Sequence, residues 1–287
     1  MNTFEAGELD INDAAYPPEE VSRLIENGSM KVSPYLATYY YNFNISKEPF
    51  NNIKVRQAIS LAIDREYIVE KVTKAGETPA TAYIPNGITA NNSDYRENTN
   101  ITVLDKNARV EEAQKLLAEA GFPNGDNFPT IEIVFNTSEE HKKIAEAVQH
   151  DLKENLGINV TLKNVEWATL QQILSSKDYD IARNGQPADY DDPLTFLDGW
   201  VTNGSLNFSS WSNEEFDNLI KTASTITDAD LRLKSMQNAE QLMMEEAPIS
   251  PIYWYVQKVL ISNRLRDAYV SPLGGYYLHY AYIEGGK

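Results

Sequence analysis

The residues from Asp180 to Pro193 combine groups that can bind a charge and a peptide backbone. The run DIARNGQPADYDDP begins like a β-strand and then breaks into a loop with one Arg, one Gly, two Pro and three carboxylates. A carboxylate offers a partner to a cation, and an interrupted strand leaves backbone N–H and C=O groups free for a ligand. This combination favours capture of a peptide over bond-breaking chemistry.

Other candidates for catalysis or metal binding lack the required spacing. The three histidines, His141, His150 and His279, form no His-Glu-x-x-His pattern of a zinc protease. Nucleophile-elbow, phosphate-loop and dinucleotide-binding motifs are also missing from the sequence. The carboxylates of residues 189–192 offer oxygens that suit Ca²⁺, but the Gly and terminal Glu of an EF-hand loop are missing. We therefore predict no enzyme activity, metal or cofactor, and a loop whose carboxylates cap neighbours or contact a ligand.

Composition excludes several classes of partner. The 287 residues carry a formal net charge of −17, which should repel nucleic-acid phosphates, so we predict no nucleic-acid binding. Apolar stretches are too short to span a membrane, and Met1–Glu5 does not read as the start of a secretory signal. The absence of cysteine excludes disulfides and thiolate metal sites. The charge has two interpretations: plain solubility, or a mild preference for cationic ligands.

Tyrosine is unusually frequent and clustered. The 17 tyrosines include the runs Tyr39–Tyr41, Tyr253–Tyr255 (with a central Trp) and Tyr276–Tyr277. Tyr and Trp combine apolar area with a polar tip, which suits adaptable ligand surfaces. The alternative is that alternate members of each run simply face the core.

Capping residues and apolar spacing predict several helices. Asn51 or Asn52 can cap a helix from Ile53, and capping boxes pair Thr137 with Glu140 and Ser212 with Glu215. The helices expected are one from Ile53, restarting near Arg65; one with Ala113, Leu116, Leu117 and Ala120, ending at Gly121; one with Ile144, Val148, Leu152 and Leu156, ending at Gly157; one with Phe216, Leu219, Ile220 and Ala223; and one from Asp228 to Glu246, using Leu231, Ala239, Leu242 and Met243.

Strands complete the fold prediction. Strands at Ile131–Phe135 and Ile158–Leu162 flank the helix that ends at Gly157, which is the βαβ signature of a parallel or mixed sheet. Residues 1–35 hold one short helix candidate, Pro18–Glu26, and residues 248–287 are rich in Tyr, Val and Ile with Pro and Gly breaks. Such ends resemble pieces of a sheet without obvious partners, which indicates that the chain is part of a larger protein. The fold class is α/β, a mixed β-sheet flanked by helices.

Several runs resemble the oligopeptide-binding proteins of ABC importers. The resemblance covers essentially the whole chain in order and spacing. The matching runs are NNIKVRQAISLAIDR (51–65), LLAEAGFP (116–123), NTSEEHKK (136–143), NVEW (164–167) and ADYDDP (188–193).

The resemblance implies a periplasmic-binding-protein-like lobe of type II. Receptors of this family close two lobes around an extended peptide by a hinge motion. The matching runs belong to the C-terminal half of these receptors. Residues 1–43 would then be the end of lobe I and the crossover, residues 44–247 the peptide-binding lobe II, and residues 248–287 the return strands. The missing N-terminal lobe becomes an expected partner, and a lone lobe should bind peptides weakly or not at all.

The resemblance also assigns roles to residues around the first run. Asp189 matches the acidic residue that pairs with a peptide's α-ammonium; the alternative is a carboxylate that only caps the loop. Gly185 matches a position where peptide and receptor backbones approach closely. Arg183 matches a pocket-side Arg; the alternative is a structural ion pair with a nearby carboxylate. Further positions that line side-chain pockets in related receptors are Asn136, His141, Trp167 and Tyr255.

Departures from the family pattern concern specificity. Gln186 stands where relatives often carry an aromatic residue, so the pocket shape should differ. Pro187 has no N–H, so one donor is missing from the strand. Leu174 and Val259 replace basic residues of one relative, so charge complementarity should also differ.

The expected function is the substrate-binding component of an ABC importer that captures oligopeptides outside the cytoplasm. We expect ABC permease subunits as partners and an extracytoplasmic location, with lipid anchoring of the full-length parent. One alternative keeps the receptor fold but changes the ligand to a peptide pheromone, a dipeptide, a nickel complex or an oligosaccharide. Another is a protein-interaction module.

Overall fold

The computed structural model describes residues 1–13, 16–101 and 103–285. It is an α/β structure, as the sequence predicts. The strands are β1 (Ile11–Asn12), β2 (Met30–Phe43), β3 (Thr78–Pro79), β4 (Thr89–Ala90), β5 (Ser93–Asp94), β6 (Ile131–Asn136), β7 (Val160–Val165), β8 (Ile181–Pro187), β9 (Ile249–Ile261), β10 (Leu265–Arg266), β11 (Tyr269–Val270), β12 (Tyr276–Tyr277) and β13 (Tyr282–Ile283).

A mixed sheet organises the fold. Within the described ranges, its strand order is β1-β9-β2-β8-β6-β7, with β3 also paired to β9. The pairs β1·β9, β9·β2 and β2·β8 are antiparallel, whereas β8·β6 and β6·β7 are parallel. The predicted βαβ unit is therefore confirmed, although its second strand spans Val160–Val165 rather than Ile158–Leu162. Three short antiparallel pairs, β4·β5, β10·β13 and β11·β12, lie outside this sheet.

Helices cover the sheet. They are α1 (Asn2–Glu5), α2 (Val21–Glu26), α3 (Ile53–Leu61), α4 (Arg65–Tyr67), α5 (Val110–Glu119), α6 (Glu139–Leu156), α7 (Trp167–Ser176), α8 (Leu194–Leu197), α9 (Glu214–Thr225) and α10 (Ala229–Glu246). A π-helical stretch, Ile68–Thr73, continues α4, and 3₁₀ turns occupy Pro18–Glu20, Arg96–Asn98, Pro123–Gly125 and Asp198–Trp200. No helix of the described residues is long and apolar enough to cross a membrane.

The side-chain caps confirm one predicted helix start and correct two others. Asn52 accepts from the N–H of Lys54 at the start of α3, as predicted. The two capping boxes are wrong by one residue. Ser138 caps α6 instead of Thr137, and Asn213 caps α9 instead of Ser212.

The apolar faces of the predicted helices are buried or partly buried, with one exception. Among the predicted core positions Leu231 is 56% exposed, because it lies in the first turn of α10. The tyrosine run of β2 is also more buried than simple alternation predicts. Tyr39, Tyr40 and Tyr41 are all at most 1% exposed, since both faces of the sheet are covered.

Residues 265–283 differ from the rest of the chain. Their short strand pairs expose large apolar side chains that the main core does not cover. These are Tyr269, Leu273, Tyr276, Tyr277, Leu278, Tyr280, Tyr282 and Ile283.

Candidate functional site

Strand β8 is paired along its whole length on one side only. Its antiparallel pairing with β2 runs from Ile181 to Pro187. The parallel pairing with β6 stops at the pair of Val134 with Ala182. Apart from the N–H of Arg183, which ends that pairing, the side of residues 183–187 that faces away from β2 is paired with no described strand. We call residues 183–187 the open edge.

The hydrogen bonds at both ends of β8 show which residues face the open edge. Asn44 N–H donates to the carbonyl of Asp180, and Ala188 N–H donates to the carbonyl of Leu36. In an antiparallel pair alternate residues exchange hydrogen bonds, so the even-numbered residues of β8 point their backbone groups at β2. The backbone groups of Arg183, Gly185 and Pro187 consequently point away from β2.

Arg183 places an uncompensated positive charge beside the open edge. Its Nη1 donates to Asn136 Oδ1 at 3.2 Å and its Nη2 to Tyr255 Oη at 2.6 Å. The guanidinium also lies 4.7 Å from the ring centroid of Tyr39. Burial alone would lower the pKa of Arg183, but Tyr255 and Tyr39 raise it on balance. No described carboxylate forms an ion pair with Arg183, so the structural ion pair considered from the sequence is not present.

An aromatic wall supports Arg183. The rings of Tyr39 and Tyr253 stack with centroids 4.8 Å apart, and Tyr255 meets Tyr253 edge-on at 5.0 Å. His141, in the first turn of α6, lies 5.6 Å from Tyr39. Burial, assisted by the charges of Arg183 and Lys258, lowers the pKa of His141 to about 3. His141 is therefore neutral at physiological pH.

Gly185 lies within this group. A Cβ at this position would come within 3.1 Å of Tyr255 Oη and 3.5 Å of Arg183 Nη2. Any larger side chain would therefore occupy the space directly over the polar ends of those two residues. The absence of a side chain keeps the open edge accessible to another backbone.

The three carboxylates that follow β8 have different surroundings. Asp191 accepts from the N–H and hydroxyl of Thr89 at 2.7 and 2.8 Å. Asp192 forms a bidentate ion pair with Arg232 at 2.7 and 2.9 Å. The side chain of Asp189 is exposed and has no hydrogen-bond or ion-pair partner among the described residues. Asp189 is therefore the carboxylate of this loop that remains available to a ligand.

The structure brings together only part of the predicted set. Arg183, Asn136, Tyr255, Gly185 and His141 form one connected group through the contacts above. The remaining residues lie outside this group. Trp167 begins α7, beyond the end of β7, and is 51% exposed. Gln186 faces the opposite side of the sheet, beside Thr38. Leu174 is buried with Val134 and Tyr179, and Val259 of β9 is buried and pairs with Lys31 of β2.

Sequence reasoning missed two residues beside this group. Asn184 Oδ1 accepts from the N–H of Gly185 at 2.9 Å. Lys258 Nζ lies between Glu77 Oε1 at 3.0 Å and Glu140 Oε2 at 2.9 Å. Neither has a sequence signal, because both interactions depend on the local course of paired strands.

A cavity of about 710 Å³ adjoins the aromatic wall. Tyr255 and Lys258 form one side, the first turn of α6 a second, and the N-terminal segment around Tyr16 a third. A space of this size holds several amino-acid residues in an extended conformation. Among the described residues no group of three metal-ligating side chains is assembled.

The fold is that of the solute-binding proteins, and comparison with known proteins places the chain in one of their families. It belongs to the bacterial extracellular solute-binding proteins, family 5, whose middle-region profile matches residues 1–208. Over 275 residues it is 36% identical to the dipeptide-binding protein DppE of Bacillus subtilis, covering 94% of this chain and 49% of that protein. Over 292 residues it is 36% identical to the periplasmic oligopeptide-binding protein OppA of Salmonella typhimurium, covering 99% and 52%.

A solved structure agrees with these relatives. The complex of Haemophilus influenzae OppA with RPPGFSPFR superposes with a TM-score of 0.85 at 32% identity, covering 98% of this chain and 55% of that one. The resemblance to oligopeptide-binding proteins and the periplasmic-binding-protein-like fold are thereby confirmed. The chain spans about half the length of the curated relatives it matches.

Proposed function

We propose that this chain is the peptide-binding lobe of an extracytoplasmic receptor that delivers oligopeptides to an ABC importer. The observation that carries the proposal is the open edge, with a free carboxylate two residues beyond it. An exposed strand edge binds an extended peptide as an additional strand, through main-chain hydrogen bonds. Such binding tolerates many side chains.

Two charges at this edge suit a short peptide. Asp189 is available to the α-ammonium, and a carboxylate–ammonium pair makes a strong charge-assisted hydrogen bond. Arg183 keeps a positive charge that no described carboxylate neutralises, which suits the ligand's carboxylate. We propose that Asn136, His141 and Tyr255 line the side-chain pocket between these charges and that Trp167 acts at its margin. Gln186 would act from the opposite face of the sheet, through its hydrogen bond to the carbonyl of Pro187.

The lobe arrangement is part of the proposal. Residues 44–247 would form lobe II, while residues 1–43 and 248–287 would belong to the crossover and to lobe I. The exposed aromatic side chains of residues 265–283 support this division, because an apolar surface of this kind is typical of an interface. Affinity would come from closure of two lobes, so this chain alone should bind weakly.

The partners and location follow from the same role. We propose contacts with ABC permease subunits, an extracytoplasmic position with a lipid anchor on the full-length parent, and ligand capture without catalysis. A different ligand class in the same receptor, or a protein-interaction module, are the outcomes that the following test separates.

An NMR titration tests the proposal. The ¹⁵N-labelled chain is titrated with tetra-alanine to 10 mM, and with its N-acetylated form as a ligand that lacks the ammonium. We expect weak binding that shifts the amide signals of Arg183, Gly185 and Asp189, and at least tenfold weaker binding of the acetylated peptide. Failure of tetra-alanine to shift these signals would contradict the proposal.

A matched pair of variants tests the anchor. Asp189→Asn removes the carboxylate two residues beyond the open edge, whereas Asp126→Asn removes an exposed carboxylate in the segment before β6. We expect tetra-alanine binding to weaken about tenfold in the first and to be unchanged in the second, since a charged hydrogen bond contributes about 1.5–3 kcal/mol. Equal binding by both variants would contradict the assignment of Asp189 as the ammonium anchor.

A further inference from the structure

The open edge has no free N–H donor. The parallel register of Val134 with Ala182 directs the N–H of Arg183 to the carbonyl of Val134. The N–H of Gly185 donates to Asn184 Oδ1 at 2.9 Å. Pro187 has no N–H at all.

The carbonyls of the same edge are available. The pairing of β8 with β6 ends at Ala182, and the carbonyls of Arg183 and Gly185 accept no hydrogen bond from the described residues. The carbonyl of Pro187 accepts only from Gln186 Nε2, at 2.9 Å. A carbonyl oxygen has a second lone pair, so this oxygen can accept another bond. The open edge thus presents three acceptors at alternate positions and no donor.

Pro187 removes no hydrogen bond between β8 and β2. Pro187 lies opposite Ala37, at a position where a strand residue makes no hydrogen bond to β2, because the even-numbered residues make those bonds. The donor that it removes is therefore one that would face a ligand.

We propose that the open edge selects ligands through their backbone N–H groups alone. This inference rests on the proposed function and names its substrate class: peptides with a free amino terminus and unsubstituted amides at alternate positions. The ligand runs antiparallel to β8, with its ammonium at Asp189 and its amides donating in turn to the carbonyls of Pro187, Gly185 and Arg183. Alternate positions along such a strand are about 6.8 Å apart, which matches the spacing of the three acceptors.

The proposal predicts which peptides are rejected. Proline and N-methylated residues cannot donate, so either one at an edge-facing position loses a hydrogen bond and leaves a receptor carbonyl unpaired. Two adjacent prolines place one of them on an edge-facing position in every register. The peptide RPPGFSPFR should therefore bind more weakly than RAAGFSAFR.

An ester scan of the ligand is the direct test. Each amide of hexa-alanine is replaced in turn by an ester, which removes the N–H and keeps the backbone shape. We expect binding, followed by the ¹⁵N shifts of residues 183–189, to weaken about fivefold at alternate amides and less than twofold at the others. A flat scan with normal binding of hexa-alanine overturns the donor rule alone. Failure of hexa-alanine itself to bind overturns the proposed function.

A gain-of-function variant tests the receptor side. Pro187→Ala restores an N–H at the open edge, and Pro129→Ala is the control at an exposed position before β6. We expect Pro187→Ala to bind hexa-alanine about fivefold more tightly and Pro129→Ala to bind it as the parent chain does. No gain from Pro187→Ala, in a protein with unchanged thermal stability, would contradict an edge limited by missing donors.

Discussion

Lys258 is expected to hold the first turn of α6 against β9, and its replacement gives a sharp prediction. Its ammonium lies between Glu77 and Glu140, and the side chain of Glu77 is only 1% exposed. The hydroxyl of Tyr253 also donates to Glu140 at 3.4 Å, so this ion cluster connects to the aromatic wall. Lys258→Met removes the cation and leaves two carboxylates close together in a poorly solvated place.

The magnitude follows from the burial of Glu77. Removing one partner of a buried ion pair costs about 3–5 kcal/mol, because the other charge remains buried. Glu77 keeps hydrogen bonds from Thr73 Oγ1 and the N–H of Ala75, which favours the lower end, about 3 kcal/mol. Lys143→Met is the matched control: Lys143 pairs with Glu19 on the surface, at side-chain exposures of 43% and 67%. A surface pair contributes about 0–1 kcal/mol.

The pH dependence separates an electrostatic effect from a packing effect. Burial would lower the pKa of Lys258, but Glu140 and Glu77 raise it on balance, well above its ordinary value. A raised lysine pKa gives stability that is complete below about pH 10 and lost only as the pH rises further. The parent chain therefore gains or loses nothing through Lys258 between pH 5 and 8. In Lys258→Met, protonation removes the unpaired charge as the pH falls, so the deficit should shrink towards pH 5.

Urea unfolding at pH 5 and pH 8, followed by tryptophan fluorescence, measures these differences. We expect a deficit of about 3 kcal/mol at pH 8 for Lys258→Met, and recovery of most of it in the double variant Lys258→Met/Glu77→Gln. A deficit below 1 kcal/mol, or one equal at both pH values, would refute the reasoning.

The remaining predictions concern the site and a helix cap. Gly185→Ala should weaken tetra-alanine binding in the NMR titration, with little change in the urea midpoint, because the new Cβ lies against Tyr255 Oη at the open edge; unchanged affinity would argue against a close backbone approach there. The pKa of His141 is lowered to about 3 by burial, whereas an unfolded chain binds that proton below about pH 6.5. Stability should therefore fall as the pH drops from about 6.5, and His141→Gln should reduce this slope in urea unfolding; an equal slope would contradict the assignment. Asn52→Ala should cost about 1 kcal/mol by losing the cap of α3, whereas Asn51→Ala should be near neutral.

The sequence predicted most elements because their signals are local. Gly157 ends α6 in a left-handed conformation with φ of 72°, as expected from a helix stop. The capping box at Thr137 failed for a tertiary reason. Thr137 N–H donates to Val165 as β6 and β7 end, and its hydroxyl bonds to Asn164, so the helix starts one residue later.

The candidate site residues were named from the sequence, but their arrangement was not predicted. Family-like spacing pointed to Arg183, Gly185 and Asp189, and the structure places them along one strand and the loop after it. The donor deficit of the open edge could not be predicted, because it depends on the pairing of β6 with β8 ending at Ala182. The bond from Gly185 to Asn184 likewise exists only in the folded strand.

A crystal structure of this chain with hexa-alanine would test the central claim most directly. The account predicts an additional strand antiparallel to β8, with ligand nitrogens about 2.9 Å from the carbonyl oxygens of Arg183, Gly185 and Pro187. The ligand ammonium should lie within hydrogen-bond distance of the Asp189 carboxylate. A peptide bound parallel to β8, or bound elsewhere with the open edge unoccupied, would contradict the account.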